Sequence, residues 1–209
     1  MRTLSKKPAV MRFASVFLAA FALGATLAHA SNVTVQVVDQ SGAPVQDAVV
    51  YAVPASGKLP AAKPTPAVID QVKRHFVPMV SVVQTGASVT FPNKDNIEHD
   101  VYSFSPAKRF ELNLYHGIPA NPVVFDKAGL VVMGCNIHDT MVAYLLIVDT
   151  PYFAKTDAKG AATISVPADS YKVVAWHFRL SDPNALPSQK VSATADSATK
   201  LALTLKPAE

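Results

Sequence analysis

Apolar and polar residues alternate along much of the chain, which is the pattern of β-strands that bury one face. Residues 33–38 show the pattern clearly, because valine occupies every second position from residue 33. Residues 141–148 are almost entirely apolar and predict a central strand that is buried on both faces. The other predicted strands are residues 48–53, 76–83, 87–91, 101–104, 110–114, 122–125, 130–133, 162–166, 171–176 and 201–205.

Turn-forming residues separate these strands at short intervals. Residues 58–66 are rich in proline and alanine and predict an extended connector, residues 68–74 predict a helical turn, and residues 156–160 predict a hairpin turn. The chain contains 16 prolines and 8 glycines, and because proline breaks helix interiors this composition excludes a helical bundle. The sequence therefore predicts an all-β protein built from β-sandwiches.

The N-terminal segment has the three parts of an export signal. An apolar stretch, residues 13–27, leads to the small-x-small sequence Ala28-His29-Ala30 and follows four basic residues, Arg2, Lys6, Lys7 and Arg12. The alternative is a membrane anchor, but the stretch is about 15 residues and a span needs about 20. We therefore predict a signal peptide over residues 1–30, a mature chain in a bacterial periplasm, and no membrane span after cleavage.

The charge distribution limits the classes of partner. The formal net charge is +4, from 19 basic and 15 acidic residues. Four of the basic residues and none of the acidic ones lie in the first 30 positions, so the rest of the chain is formally neutral. Because nucleic-acid binding needs a basic face, this distribution argues against a nucleic-acid partner.

Cys135 is the one cysteine of the chain. In an exported protein, an unpaired cysteine indicates an intermolecular bridge, a reactive thiol or a thiolate held by a metal. His138 and Met141 follow it at intervals of three residues, and His99 lies at the start of an earlier strand. Two imidazoles, one thiolate and a weak thioether form the ligand set of copper electron-transfer sites, whereas zinc prefers four stronger ligands.

Each of these residues also has an explanation without a metal. Cys135 could be a small buried hydrophobe, Met141 a core residue, and His138 a residue that caps a loop. Their coincidence in an exported chain with one cysteine favours the copper site. The remaining histidines of the predicted mature chain, His75, His116 and His177, are expected to be structural or surface residues, and Met79 is a remote alternative axial ligand.

Two stretches of the chain resemble the cupredoxins, the blue copper proteins such as plastocyanin and amicyanin. The spacing from Cys135 to Met141 is that of the amicyanin ligand loop, and residues 125–135 and 89–99 resemble the family's approaches to its cysteine and first histidine. The chain is also similar to the bacterial plastocyanin-like group called methylamine utilisation proteins. The resemblance implies a Greek-key β-sandwich over about residues 67–150, with one type 1 copper held by His99, Cys135, His138 and Met141.

The sequence departs from the cupredoxin pattern at three places. Asp100 stands where the family usually has asparagine, Val131 and Met133 replace aromatic residues before the cysteine, and Glu98 adjoins His99. A carboxylate ligand would make a catalytic centre, but neighbours on a strand point to opposite faces, so Glu98 is not expected to bind. The residues expected to brace the copper ligands are Asn93, Asp100 and Asn136.

The flanking segments resemble a second module. Residues 33–53 and 156–176 are similar to transthyretin-like, carboxypeptidase-regulatory-like sandwiches. This resemblance divides the chain into a signal peptide (1–30), the first part of the transthyretin-like sandwich (31–58), a linker (59–66), the cupredoxin domain (67–150) and the rest of the sandwich (151–209). The copper domain would then be inserted into a split sandwich or flanked by it.

The resemblance implies a monomeric periplasmic electron carrier and not an enzyme. His138 is expected to be the ligand on the solvent side, with Ile137, Asp139 and Val142 forming a small contact patch around it. The implied partners are a dehydrogenase as donor and a c-type cytochrome as acceptor. Two alternatives are a copper chaperone or store, and a β-sandwich binding module with a relic site.

Overall fold

The computed structural model describes residues 30–207. The predicted signal peptide therefore lies outside the described residues, apart from Ala30, which begins the first strand. All regular structure in the described part is β-structure, which confirms the all-β prediction. None of its residues belongs to a helix that is long and apolar enough to cross a membrane.

The strands follow one another along the chain with short connections. They are β1 (Ala30–Asp39), β2 (Val49–Pro54), β3 (Ala67–Val68), β4 (Asp70–Val72), β5 (His75–Val77), β6 (Val80–Gln84), β7 (Ala87–Thr90), β8 (His99–Ser105), β9 (Lys108–Tyr115), β10 (Val123–Phe125), β11 (Gly129–Gly134), β12 (Val142–Val148), β13 (Phe153–Lys155), β14 (Ala161–Pro167), β15 (Ser170–Trp176), β16 (Ser188–Ser192) and β17 (Ser197–Leu203).

Strands from the two ends of the chain form one sandwich, here called the flanking sandwich. One of its sheets has the order β14-β1-β17, in which β1 is antiparallel to β14 and parallel to β17. The other has the order β13-β2-β15-β16. Alternate residues of β1, such as Val33 and Val35, enter the core between these sheets, where they join Tyr171 and Trp176 from β15. The alternation of apolar and polar residues at 33–38 therefore reflects the one buried face of β1.

The strands between β2 and β13 form a second sandwich, here called the central sandwich. Its larger sheet has the order β6-β12-β11-β8-β9, and its smaller sheet has the order β10-β7-β3. The core between them contains Phe91, Phe125 and Leu145, each at most 1% exposed. Leu145 and Ile147 of β12 face this core, whereas Leu146 and Val148 face the core of the flanking sandwich, so burial of both faces explains why the sequence of β12 is apolar.

The outer face of the larger sheet is covered by the flanking sandwich at one end only. Val80, Leu146 and Val148 belong to the core of the flanking sandwich, and the ring of Tyr144 stacks on Phe178 at a centroid distance of 4.9 Å. Val142, at the other end of β12, is 36% exposed. The flanking sandwich therefore does not cover the end of the larger sheet at which β12 begins.

Two predicted turns differ in the structure. Residues 68–74 form no helical turn: β4 and β5 pair as a hairpin whose turn residues, Lys73 and Arg74, have φ angles of 52° and 60°. Two successive positive φ angles match the twist of a two-residue hairpin and cannot continue a helix. Residues 156–160 form a turn, but the strands on either side of it do not pair with each other. β13 pairs with β2 and β14 pairs with β1, so the turn connects two sheets and does not close a hairpin.

We expect His177 to make the stability of the flanking sandwich depend on pH. The residue is 5% exposed, and its Nδ1 accepts a hydrogen bond from the Arg179 N–H at 3.2 Å. Burial and the nearby Arg179 charge lower the pKa of His177 from 6.5 to about 4, against the opposing effects of Asp47 and the Gln46 backbone. The ring is therefore neutral in the folded protein at pH values where it is protonated in the unfolded chain.

Between the unfolded and folded pKa values the unfolded chain binds the extra proton, so stability falls as the pH falls from about 6.5 towards 4. We expect His177→Gln to reduce this pH-dependent fall in the free energy of unfolding by about 2 kcal/mol. The value is smaller than the pKa shift alone would give, because solvent screens the charge. Urea unfolding of both proteins at several pH values measures the difference. The matched control is His75→Gln, at an exposed histidine, which should keep the original slope. Parallel slopes for His177→Gln and the unsubstituted protein would contradict the prediction.

Candidate metal centre

Antiparallel pairing brings the predicted ligands to one end of the larger sheet. β11 pairs with both β8 and β12, so the start of β8, the end of β11 and the start of β12 meet there. His99 is the first residue of β8, Cys135 directly follows β11, and Met141 directly precedes β12. His138 lies in the turn between Cys135 and Met141, which closes with a hydrogen bond from the Met141 N–H to the His138 carbonyl at 3.0 Å.

Three donor atoms converge at this end. The Cys135 Sγ lies 3.9 Å from the His99 Nδ1 and 3.9 Å from the His138 Nδ1. The three atoms all lie within 4.8 Å of one another, and the two imidazole rings meet edge to face at a centroid distance of 4.9 Å. The group contains no carboxylate, so Glu98, which is exposed, is not part of it.

These distances suit a metal ion between the three atoms. Bond lengths of about 2.0 Å to nitrogen and about 2.3 Å to sulfur place the two donors roughly 3.8 Å apart at a trigonal angle. The observed separations of 3.9 Å from Cys135 to each histidine are close to this value. One thiolate and two imidazoles are also the donors that copper prefers. The residues present therefore fit a copper ion.

Burial differs among the four predicted ligands. His99 is fully buried, Cys135 is 4% exposed and Met141 is 1% exposed, whereas His138 is half-buried. Met141 packs in the same core as Cys135, and its role as a weak axial ligand stays a prediction. Met79 is 42% exposed and lies outside that core. His138 is therefore the one of the four that faces solvent.

The cysteine is protonated more readily than a free thiol when no metal is bound. Burial raises the pKa of Cys135, and the Asp100 side chain raises it further, while the backbone N–H groups of Ile137 and Asp100 partly oppose this. These two N–H groups point at the sulfur. A bound metal ion would favour the thiolate form of Cys135 instead, because metal ligation deprotonates a thiol.

Asp100 joins the loop of the cysteine to the strand of the first histidine. Its Oδ1 accepts a hydrogen bond from the Asn136 N–H at 2.8 Å, and its Oδ2 accepts one from the Asn136 Nδ2 at 2.5 Å. The structure thus brings together two of the three residues expected to brace the ligands. Both neighbour ligands in sequence, so their contact connects the His99 and Cys135 segments.

Removing this connection should loosen the Cys135 loop. We expect Asp100→Ala to lower the free energy of unfolding of the metal-free protein by about 1–2 kcal/mol, because both bonds to Asn136 are lost. Asp100→Asn should cost less than about 1 kcal/mol, since the exposed Asn136 amide can turn over and pair with it. Urea unfolding measures both. Equal losses for the two variants would show that the charge of Asp100, and not its hydrogen bonding, holds the loop.

Asn93 fixes the turn that leads to His99. Its Nδ2 donates hydrogen bonds to the carbonyls of Ile97 and Tyr115, both at 2.8 Å, and its Oδ1 accepts one from the Asp95 N–H at 2.9 Å. The side chain is buried with all of these contacts made. Asn93 therefore shapes the 93–99 segment and does not itself approach the donor atoms.

Sequence reasoning missed Asp95. Its Oδ2 accepts a hydrogen bond from the His99 Nε2 at 2.9 Å, on the side of the ring opposite the Nδ1 atom that faces Cys135. Burial acts to raise the pKa of Asp95, but the N–H of Arg74, the His99 ring and the N–H of Lys73 together lower it. The spacing of four residues between Asp95 and His99 is the one signal in the sequence, and it is common in polar turns.

The three residues of the predicted contact patch are exposed. Ile137 is 51% exposed, Val142 is 36% exposed, and Asp139 is also exposed. His75 and His116 are exposed as well, and His177 is buried in the flanking sandwich, so none of these three histidines joins the donor group.

Comparison with solved structures finds cupredoxins. A purple cupredoxin from Nitrosopumilus maritimus matches with 19% identity and a TM-score of 0.34, over 39% of this chain and 98% of its own. A mutant of amicyanin, in its reduced Cu(I) form, matches with 19% identity and a TM-score of 0.34, over 48% of this chain and 98% of its own.

The Cu-containing nitrite reductase from Thermus scotoductus SA-01 matches with 21% identity and a TM-score of 0.38, over 54% of this chain and 28% of its own. No model of a protein family matches the chain, and no curated protein matches it. Identities and TM-scores this low establish neither descent nor a shared role.

Proposed function

We propose that the protein binds one type 1 copper ion and carries single electrons between redox partners in the periplasm, without catalysing a reaction itself. The observation that carries this proposal is the convergence of the Cys135 Sγ with the Nδ1 atoms of His99 and His138, each 3.9 Å from the sulfur. When bound, copper supplies a one-electron couple between Cu(I) and Cu(II) at this ligand set.

The protein contributes rigidity at the donor atoms. His99 is held through its other nitrogen by Asp95, and the Cys135 loop is held by the two bonds between Asn136 and Asp100. Donor atoms that are fixed in advance move little when an electron arrives or leaves. A small movement of the donor atoms on oxidation or reduction favours fast electron transfer. Such a rigid site suits an electron carrier, whereas a chaperone needs a site that can release its metal.

The protein also controls access to the site. His99 and Cys135 are buried, which keeps water and small anions from the donor atoms, whereas the half-buried His138 connects the site to the surface. Ile137 and Val142, which are exposed and lie within four residues of His138 in the sequence, offer apolar surface of the kind used in small and transient redox interfaces. We propose that a dehydrogenase donor and a c-type cytochrome acceptor contact this patch and that the carrier acts as a monomer.

Copper addition to the purified mature chain tests the proposal. We expect one equivalent of Cu(II) to produce an intense visible charge-transfer band between the thiolate and copper, which ascorbate bleaches and ferricyanide restores. A carrier should also retain Cu(I) against a competing chelator. Rapid loss of Cu(I) to the chelator would favour a copper chaperone or store, and the absence of any bound metal would favour a β-sandwich binding module.

A further inference from the structure

The other face of the first histidine contacts a carboxylate that is itself held in place. The His99 Nε2 lies 2.9 Å from the Asp95 Oδ2, and because an ionised carboxylate only accepts hydrogen bonds, the ring must donate its Nε2–H. This leaves the Nδ1 of a neutral ring with its lone pair directed at the Cys135 side. The contact therefore selects the tautomer that can bind a metal through Nδ1.

Asp95 is fixed from a distant part of the chain. Its Oδ1 accepts a hydrogen bond from the Lys73 N–H at 2.6 Å, and its Oδ2 accepts one from the Arg74 N–H at 2.8 Å. Lys73 and Arg74 form the turn of the β4–β5 hairpin, and their positive φ angles point both N–H groups at the carboxylate. Two consecutive residues in this conformation are uncommon unless the surroundings require it.

The hairpin is in turn anchored to the segment that carries Asp95. The Gln71 N–H donates to the Pro92 carbonyl at 2.8 Å, and the Lys94 N–H donates to the Gln71 carbonyl at 2.9 Å. The Lys94 ammonium pairs with Asp70 at 2.6 Å and not with Asp95. The contacts of Asp95 are therefore the two N–H groups of the turn and the imidazole, with its own N–H bound to Asn93.

We propose that Asp95 is a positioning residue that holds His99 in its Nε2–H form and biases the site towards Cu(II), and that the Lys73–Arg74 turn holds Asp95 in place. The second half of this proposal, the bias towards Cu(II), rests on the proposed function, whereas the selection of the tautomer does not. A carboxylate on the second nitrogen raises the basicity of a ligating imidazole, and the more basic ring favours the more highly charged ion.

Asp95→Ala tests the tautomer without any metal. We expect the ¹⁵N shifts of His99 in the unsubstituted, metal-free protein to report the Nε2–H form, and Asp95→Ala to give a mixture of tautomers. The matched control is Asp126→Asn, which removes a carboxylate at the opposite end of β11. If His99 keeps the same tautomer in Asp95→Ala, Asp95 does not position the ring and the proposal fails, whatever copper does.

Asp95→Asn tests the bias in the copper-loaded protein, because asparagine keeps an acceptor for the Nε2–H and removes the charge. Loss of such a partner lowers metal affinity by about 10–100-fold. A tenfold loss confined to Cu(II) raises the one-electron potential by about 59 mV. We expect a rise of that order for Asp95→Asn and none for Asp126→Asn. An unchanged or lower potential would overturn the bias.

The two experiments separate this proposal from the proposed function. A protein that binds no copper but loses its His99 tautomer in Asp95→Ala would refute the carrier and retain the positioning role of Asp95. A protein with a blue copper band and an unchanged tautomer in Asp95→Ala would retain the carrier and refute the positioning role.

Discussion

Cys135→Ser should abolish the visible charge-transfer band and lower the affinity for copper by more than about 100-fold, the upper end of the loss expected for a residue that only supports a ligand. The band requires a thiolate bonded to copper, and soft sulfur is the donor that favours Cu(I). Absorption spectra at one equivalent of Cu(II), and competition with a Cu(I) chelator, measure the two effects.

The fold should survive this substitution. Serine fills nearly the same volume at a position that is 4% exposed, and the N–H groups of Ile137 and Asp100 that face the sulfur remain to bind the hydroxyl. Met133→Leu is the matched control, because it changes a sulfur-containing residue in the same core, two positions earlier. A band of full intensity in Cys135→Ser, or its loss in Met133→Leu, would contradict the ligand assignment.

Phe125→Ala should lower the free energy of unfolding by about 3–5 kcal/mol. Phe125 is fully buried between the two sheets of the central sandwich, and its ring meets Phe110 edge to face at a centroid distance of 5.8 Å. Truncation removes both the buried apolar surface and the aromatic contact, and leaves a cavity in a core that cannot collapse fully. Urea unfolding followed by Trp176 fluorescence and by far-ultraviolet circular dichroism gives the change.

The control for this prediction lies one position earlier on the same strand. Val124 is 47% exposed, so Val124→Ala should change the free energy of unfolding by no more than about 0.5 kcal/mol. A loss below about 1 kcal/mol for Phe125→Ala would mean that this side chain is not part of a packed core.

Strands with one buried face could be predicted from the sequence, and short or polar strands could not. The alternation in β1 follows from its single buried face, and the apolar sequence of β12 follows from the burial of both its faces in two cores. β16 is exposed at most of its positions, and β4 and β13 have three residues each. None of these strands therefore shows an alternation of apolar and polar residues that would predict it. Hairpin pairing is local, whereas the parallel pairing of β1 with β17 depends on contacts between the two ends of the chain.

The donor set could be predicted from residue types and spacing, because Cys135, His138 and Met141 follow one another at intervals of three residues in a chain with one cysteine. The support for His99 could not. Asp95 acquires its role from the β4–β5 turn, whose two N–H groups reach it from more than 20 residues away. Nothing in the local sequence of Lys73 and Arg74 indicates that conformation, since neither is glycine or asparagine.

X-ray absorption spectroscopy of the copper-loaded protein tests the central claim most directly, because it counts the atoms around the metal by type. We predict one copper per chain with one short bond to sulfur and two bonds to imidazole nitrogen, and loss of one imidazole in His99→Ala. A copper environment without a short sulfur bond, or one that is the same in His99→Ala, would contradict the assignment of this site.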